Sequence, residues 1–353
     1  MPERQDRRER HVPVLLREAM EYLSPRPGGV YVDATFGAGG YARAILDVPE
    51  TRLFAIDRDP AAIAGGRALA EDHPGRLILL HGRFSDMERL LADHDVTAVD
   101  GVVMDLGVSS MQLDEADRGF SFMREGPLDM RMEGEGLSAA QVLNTFREED
   151  IADILKTYGE ERRARPLARA IVRRRKERPF TTTFDLVEVA ESVLGRPRPG
   201  RKHPATRAFQ ALRIFVNREL EEVARGLLAA ERLLKPGGRL VVVSFHSLED
   251  RIVKRFFAAR TGRGQAASRR LPHEPEPPAP SFVDVAPGGA APSQEEVACN
   301  PRARSARLRA GERTDAPPIA EVPPLPAVSI GERGGGAGKP SHSRRARKGR
   351  GRR

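Results

Sequence analysis

The feature that most constrains this chain is a short apolar run, residues 30–36, that opens into the string Asp33-Ala34-Thr35-Phe36-Gly37-Ala38-Gly39-Gly40-Tyr41 just before helix-like sequence. A strand, a glycine-rich turn and a helix in that order make a cofactor loop. Glycines let the backbone turn tightly and approach a ligand, and the first free N–H groups of the helix point at it. Three further runs, residues 53–57, 77–80 and 101–106, read as buried strands with helix-like stretches between them. That alternation predicts a parallel sheet. Pro60 suits the first turn of a helix over 61–70, and Ser85 with Glu88 has capping-box spacing.

From residue 111 to 204 the strand pattern stops. Helical patterns over 138–146, 149–158 and 184–194 take over, Ser138 and Gln141 have capping-box spacing, and Gly159 and Gly195 stand where helices end. The αβ pattern then resumes, with a helix over 220–234, a turn at Lys235-Pro236-Gly237-Gly238 and a strongly apolar strand over 239–245. The expected organisation is an α/β Rossmann-like core, residues 8–110 and 205–313, interrupted by an all-helical insertion at 111–204. Beyond about residue 261, proline, glycine, alanine and arginine dominate without sustained periodicity except around 300–313. Most of that region is expected to be disordered, ending in a basic tail over 314–353.

Charge narrows the partners. A formal net charge of +9, carried mostly by arginine, favours a polyanion, because each neutralised phosphate releases counterions; solubility alone is the plainer reading. The single cysteine, Cys299, excludes an internal disulfide framework and a multi-cysteine zinc site, and no metal-ligand cluster stands out. The charged start lacks a signal-peptide core, and no stretch of about 18 uncharged apolar residues occurs, so a soluble cytoplasmic protein is expected.

Read literally, Gly37, Gly39 and Ala42 also fit the dinucleotide spacing G-x-G-x-x-A, which would make the chain an NAD-dependent oxidoreductase. The acids argue otherwise. Asp33 stands at the mouth of the loop, and Asp105 ends the fourth strand facing the same crevice. Two acids repel a pyrophosphate, whereas they suit S-adenosylmethionine, which carries an ammonium, a sulfonium and one carboxylate. Asp57, at the end of the second strand, is placed for ribose hydroxyls under either reading. The duller alternatives are that Asp33 serves N–H groups of its own loop and that Asp57 or Asp59 caps the next helix.

Several unusual strings occur together in order: Asp33 to Tyr41, Ala55-Ile56-Asp57-Arg58-Asp59-Pro60, Asp105-Leu106-Gly107-Val108-Ser109-Ser110, Gly119-Phe120-Ser121-Phe122 and Ser244-Phe245-His246-Ser247-Leu248-Glu249-Asp250-Arg251. Further strings are Gly126-Pro127-Leu128-Asp129-Met130-Arg131-Met132, Tyr158-Gly159-Glu160-Glu161-Arg162, His203-Pro204-Ala205-Thr206-Arg207 and Asn300-Pro301-Arg302-Ala303-Arg304-Ser305. Together they resemble the bacterial 16S ribosomal RNA cytosine-N4 methyltransferase family, over roughly residues 11–313. The resemblance implies a class I methyltransferase core, a helical insertion that recognises RNA, and methyl transfer from S-adenosylmethionine to the exocyclic N4 of a cytidine in the decoding region. The implied partner is 16S ribosomal RNA within the small ribosomal subunit, with neither membrane nor DNA. The implied cofactor contacts are Gly39, Gly40, Tyr41, Asp57, Phe84, Asp105 and Gln112. Tyr41 stands where many relatives have histidine, and Met111 where proline is common.

The exocyclic amine of cytosine is a poor nucleophile, so placement should dominate catalysis, at roughly 7–11 kcal/mol. DNA amino-methyltransferases often carry an Asn/Asp-Pro-Pro-aromatic loop after the fourth strand; here Asp105 to Ser110 replaces it. Asp105, Ser109 and His246 are therefore the catalytic candidates near the amine. Ser247 and Asp250 have the spacing of a helix cap and its reciprocal partner. Arginines between Arg162 and Arg178 are candidates for phosphate contacts, or form a solvated helix face. Phe120, Phe122 and Tyr158 are the aromatics available to a flipped base. A non-catalytic ribosome-assembly factor that retained the fold is the remaining alternative.

Overall fold

The computed structural model describes residues 13–263, 278–328 and 330. Seven strands form one sheet: β1 (Val30–Asp33), β2 (Arg52–Asp57), β3 (Leu77–His81), β4 (Val99–Asp105), β5 (Leu234–Ser244), β6 (Phe282–Asp284) and β7 (Arg307–Arg313). Their order is β3-β2-β1-β4-β5-β7-β6. The first five are parallel, and β7 runs antiparallel between β5 and β6. The chain turns outward from β1 in one direction and from β4 in the other, so a crevice opens beyond the carboxyl ends of these two strands.

Helices cover both faces. The first four are α1 (Leu16–Leu23), α2 (Gly40–Leu46), α3 (Pro60–Asp72) and α4 (Met87–Ala92). Between β4 and β5 lie α5 (Ser110–Asp114), α6 (Ala139–Thr145), α7 (Glu148–Thr157), α8 (Ala164–Glu177), α9 (Thr183–Leu194), α10 (Thr206–Asn217) and α11 (Glu219–Leu233). After β5 come α12 (Ser247–Arg260) and α13 (Gln294–Cys299). Alternation along each strand divides the apolar side chains: Tyr31, Leu53, Val103 and Val241 join α1 to α3 on one face, whereas Val32, Phe54, Val102 and Val242 face the longer helices. Buried residues of α6 to α9, such as Val142, Ile154, Leu167 and Leu186, belong to the same cluster as that second sheet face. The helical segment thus packs continuously with the sheet. Among the described residues, no helix is long and apolar enough to cross a membrane.

Local chemistry sets several boundaries as expected. Asp59 caps α3 by accepting from Ala61 N, with Pro60 in the first turn, and Ser138 and Gln141 form a reciprocal box at α6. Two expected caps are corrected. Ser85 lies in a 3-10 turn, Phe84–Asp86, and binds Glu222 through both its backbone N–H and its hydroxyl, while Glu88 pairs with Arg232. At α12 the cap is His246, with Glu249 as its reciprocal partner. Ser247 instead reaches Glu160, and Asp250 pairs with Arg309. In both cases a long-range partner won over a local spacing rule.

The region expected to be mostly disordered contributes β6, α13, a 3-10 turn (Pro301–Ser305) and β7. β7 falls inside 300–313, the stretch excepted from that expectation, and pairs with the interior strand β5. Of the expected tail, residues 314–328 lack regular structure yet are tied down: Ile319 N donates to Glu231, and Arg260 donates to the carbonyls of Ile319 and Glu321. The basic terminus, 331–353, lies outside the described residues.

Candidate active site

Beyond β1, β4 and β5 lies a cavity of about 370 Å³ whose wall includes the glycine loop, the end of β2, Phe84 and the segment 105–109. Gly40, Tyr41, Asp57, Phe84, Asp105, Ser109 and Gln112 all line it. Gly39 lies outside the wall and serves as the cap of α2 with φ of 75°, a left-handed backbone that favours glycine. Asp33 lies just beneath the wall at the end of β1 and is 1% exposed.

The acids at this end of the sheet are poorly compensated. Asp33 accepts from Thr35 N through Oδ1, while its Oδ2 is buried without a partner, as is Oδ1 of Asp105. Burial pushes the Asp33 carboxyl up to about 7, with nearby Asp57 adding to the rise and the Thr35 and Ala42 N–H groups easing it. Burial, then the charges of Asp33 and Glu249, drive Asp105 well above the ordinary carboxylate range. Asp57 is held by Gly37 N on one oxygen and Asp59 N on the other, both at 2.8 Å, and burial still raises it. Buried acids with vacant lone pairs call for a cation or a hydrogen-bond donor.

Other wall residues have structural partners that explain their place. The Tyr41 hydroxyl donates to the carbonyl of Val14, tying the start of the chain over the loop. Phe84 lies against α11 where Gly226 lacks a side chain; a Cβ there would sit 2.3 Å from the ring. Gln112 and Ser109 form the reciprocal cap of α5, and Gln112 Nε2 donates to Asp59 at 2.8 Å. Arg118 meets the same Asp59 at 2.9 Å, so this aspartate joins the loop after β2 to the helical segment.

A second group was invisible in the sequence. Arg213, Glu219 and Glu249 also line the cavity, although α10, α11 and α12 supply one each. Arg213 grips both oxygens of Glu219 at 2.8 Å. Glu249 accepts from the backbone of Phe245 and His246. Burial pushes Glu249 up, yet His246, Arg213 and the Phe245 N–H outweigh it and hold the carboxyl below its ordinary value. His246 itself is absent from the wall; its Nε2 sits 3.1 Å from Glu249 Oε1, so it reaches the cavity only through that carboxylate. Glu219, His246 and Glu249 bring one potential ligand atom each within 4.8 Å of one another, a grouping the sequence did not suggest. The Arg213 fork already supplies the positive charge there. No spacing signal could have joined these residues, because only the packing of three helices brings them together.

The expected aromatic contacts are not presented to the cavity. Phe120 and Tyr158 are buried in the core, and Phe122 packs against His203 and Phe209 with ring centroids 4.7 and 4.9 Å apart. On α8, Arg174 pairs with Asp185, and Arg175 donates to the carbonyls of Leu143 and Phe146. Those two arginines are structural.

Residues 8–314 match the MraW methylase family. The chain belongs to that family. It is 59% identical over 329 residues to the ribosomal RNA small subunit methyltransferase H of Nitrobacter winogradskyi, covering 92% of this chain and 98% of that protein. It is 62% identical over 307 residues to the protein of the same name from Bradyrhizobium diazoefficiens, covering 87% and 92%. A solved rRNA methylase from Streptococcus thermophilus is similar over 85% of this chain and 94% of that one, at 10% identity and a TM-score of 0.37. Family membership and the strand order make the architecture a Rossmann-like class I methyltransferase core, and its cofactor is S-adenosylmethionine. The site fits that molecule: orphaned acid oxygens stand ready for its positive charge, and Asp57 and the aromatic ring of Phe84 line the same cavity. The pyridine-nucleotide reading of the glycine loop falls with the assignment.

Proposed function

We propose that this methyltransferase modifies the exocyclic N4 of a cytidine in the decoding region of 16S ribosomal RNA, within the small ribosomal subunit. The observation that carries the proposal is near-full-length identity of 57–62% to proteins named for methylation of small-subunit ribosomal RNA. The ordered strings that resemble the cytosine-N4 family support the choice of atom.

Each side chain then has a defined task. Asp57 already accepts two backbone N–H groups, and its remaining lone pairs are available to ribose hydroxyls. Phe84 offers an apolar face to adenine, held in place by α11. Gln112 uses its carbonyl on Ser109 N and one amide hydrogen on Asp59, leaving the second hydrogen for the methionine end of the cofactor. Gly39 shapes the loop, while Gly40 and Tyr41 close it from the α2 side. When bound, the cofactor supplies an electrophilic methyl group on sulfur.

The protein must hold the amine in line with that methyl and accept the proton that the product nitrogen sheds. Of the three candidates, Asp105 faces the cavity directly, Ser109 is committed to capping α5, and His246 orients Glu249. Asp105 and Glu249 are pushed in opposite directions, the pattern of an acid–base pair around one substrate. Glu249, ionised at neutral pH, is the proton acceptor, and Asp105 binds the amine edge.

The test is transfer of labelled methyl from S-adenosylmethionine to small subunits and free 16S RNA from cells lacking the protein, with nucleoside mass spectrometry. N4-methylcytidine formed by wild type, and about 10²-fold or more lower kcat for Glu249→Gln, is the expected result. Tight cofactor binding with no methylated product from either substrate would leave an assembly factor.

A further inference from the structure

The string Asn300-Pro301-Arg302-Ala303-Arg304-Ser305 is unexplained by the cofactor contacts, yet the fold returns it to the rim of the active site. Arg302 borders both the 370 Å³ cavity and an adjoining depression of about 80 Å³. The depression shares Leu113 with the cavity and is completed by Asp114, Ser121, Met123 and Arg124. We propose that this depression binds a backbone phosphate of the nucleotide flanking the target base, with Arg302 and Arg124 as its cationic ligands. The inference rests on RNA being the substrate.

Four features converge there. First, Arg302 is rigidly presented: Asn300 accepts from its backbone N–H at 3.1 Å, Pro301 opens the turn, and Ala303 and Ala306 are fully buried. The exposed arginines of this turn therefore face outward. Second, Arg302 meets Asp114 at 2.9 Å with both side chains substantially exposed. Such a surface pair is weak, and a phosphodiester offers the same guanidinium a two-oxygen match that Asp114 yields readily. Third, Arg124 is exposed, and its guanidinium has no ion pair or hydrogen bond among the described residues. Fourth, Met123, 81% exposed, is the most exposed large apolar side chain of the described residues and lines the same depression as these cations. It offers an unbranched, polarizable surface to a sugar or base.

The geometry of the reaction requires such a site. A base must leave its stack to reach the bottom of a cavity, so the phosphates on either side of it are drawn across the rim. Cations at the rim fix the register of the strand, whereas charges far along α8 attract RNA without aligning it.

The experiment measures binding of a fluorescent single-stranded RNA spanning the target cytidine, at several salt concentrations, alongside methyl transfer and S-adenosylhomocysteine binding. Variants are Arg302→Ala, Arg124→Ala, the double variant, and Asp114→Asn. We expect about tenfold weaker RNA affinity for each arginine removed, a salt slope smaller by about 0.7 per contact, and S-adenosylhomocysteine affinity within about twofold of wild type. Asp114→Asn should tighten RNA binding by removing a carboxylate that competes with the phosphate for the depression. Unchanged RNA affinity and slope in the double variant, or a parallel loss of S-adenosylhomocysteine affinity, overturns the subsite. If the double variant loses RNA affinity and slope but wild type methylates nothing, the subsite stands and the proposed reaction falls. If wild type methylates and the double variant binds RNA normally, the reverse holds.

Discussion

Two regions of this molecule bury charge and treat it in opposite ways. Under the C-terminal strand, Glu231 and Arg260 are each 1% exposed and fully engaged. Glu231 receives Arg260, the Ser281 hydroxyl and Ile319 N, while Arg260 also donates to two carbonyls and lies 4.0 Å over the Phe256 ring. At the ends of β1 and β4, by contrast, Asp33 is buried and Asp105 partly so, and each keeps a buried oxygen with no partner. The first region is saturated and fastens residues 314–328 to the core. The second is left unsatisfied, a cost to folding that protonation or a ligand can offset, as expected of a candidate functional site.

The sharpest way to break the comparison is to unbalance the saturated side. Glu231→Ala should lower stability by about 3–5 kcal/mol, because Arg260 would stay buried without its counter-ion. Denaturant unfolding reads this loss, and S-adenosylhomocysteine affinity, measured on folded protein, should hold.

Asp33→Asn should do the reverse. A carboxyl raised from 3.8 to about 7 by folding favours the folded state only where it is protonated. Its contribution is fully present below pH 3.8, declines as pH rises, and is gone above about 7. The amide removes that penalty, so the ligand-free variant should gain up to roughly 4 kcal/mol at pH 8 and almost nothing at pH 4. Its affinity for S-adenosylmethionine should fall. In wild type that affinity should tighten from pH 6 to 8, since a cationic ligand favours the ionised acid; a flat calorimetric profile would remove Asp33 from the site.

Gly226→Ala tests the uncharged wall. A methyl 2.3 Å from Phe84 must displace the ring, costing about 1–3 kcal/mol in stability and weakening cofactor binding with it. The smallest contrast concerns α12: His246→Ala should cost about 1 kcal/mol as a lost cap, whereas Ser247→Ala should stay within about 0.5 kcal/mol. Thermal melts of the pair would reverse the corrected cap if Ser247 proved the costlier.

Much of the cofactor side was legible in advance because it is local. Strand, glycine loop and helix follow one another between residues 30 and 46, and Asp33, Asp57 and Asp105 each end a strand whose apolar run is visible by itself. The caps at Ser85 and Ser247 were misread because their spacing was right and their partners were not: Glu222 and Glu160 lie 137 and 87 residues away. Of the segments after residue 278, β7 lies in the periodic stretch 300–313 that the sequence marked, whereas β6 and α13 were missed because they are only three and six residues long.

The sequence by itself determined the parallel α/β core, the cofactor loop and the acids at the strand ends, since periodicity and turn chemistry act over short stretches of chain. It also determined the family, through strings too unusual to coincide. Only the tertiary structure decided which of these acids go unpartnered, that Arg213, Glu219 and Glu249 share one wall, and that Arg302 returns to the active-site rim. Those facts depend on which helices pack together across the sheet, and burial, which sets charge and affinity alike, exists only once they have done so.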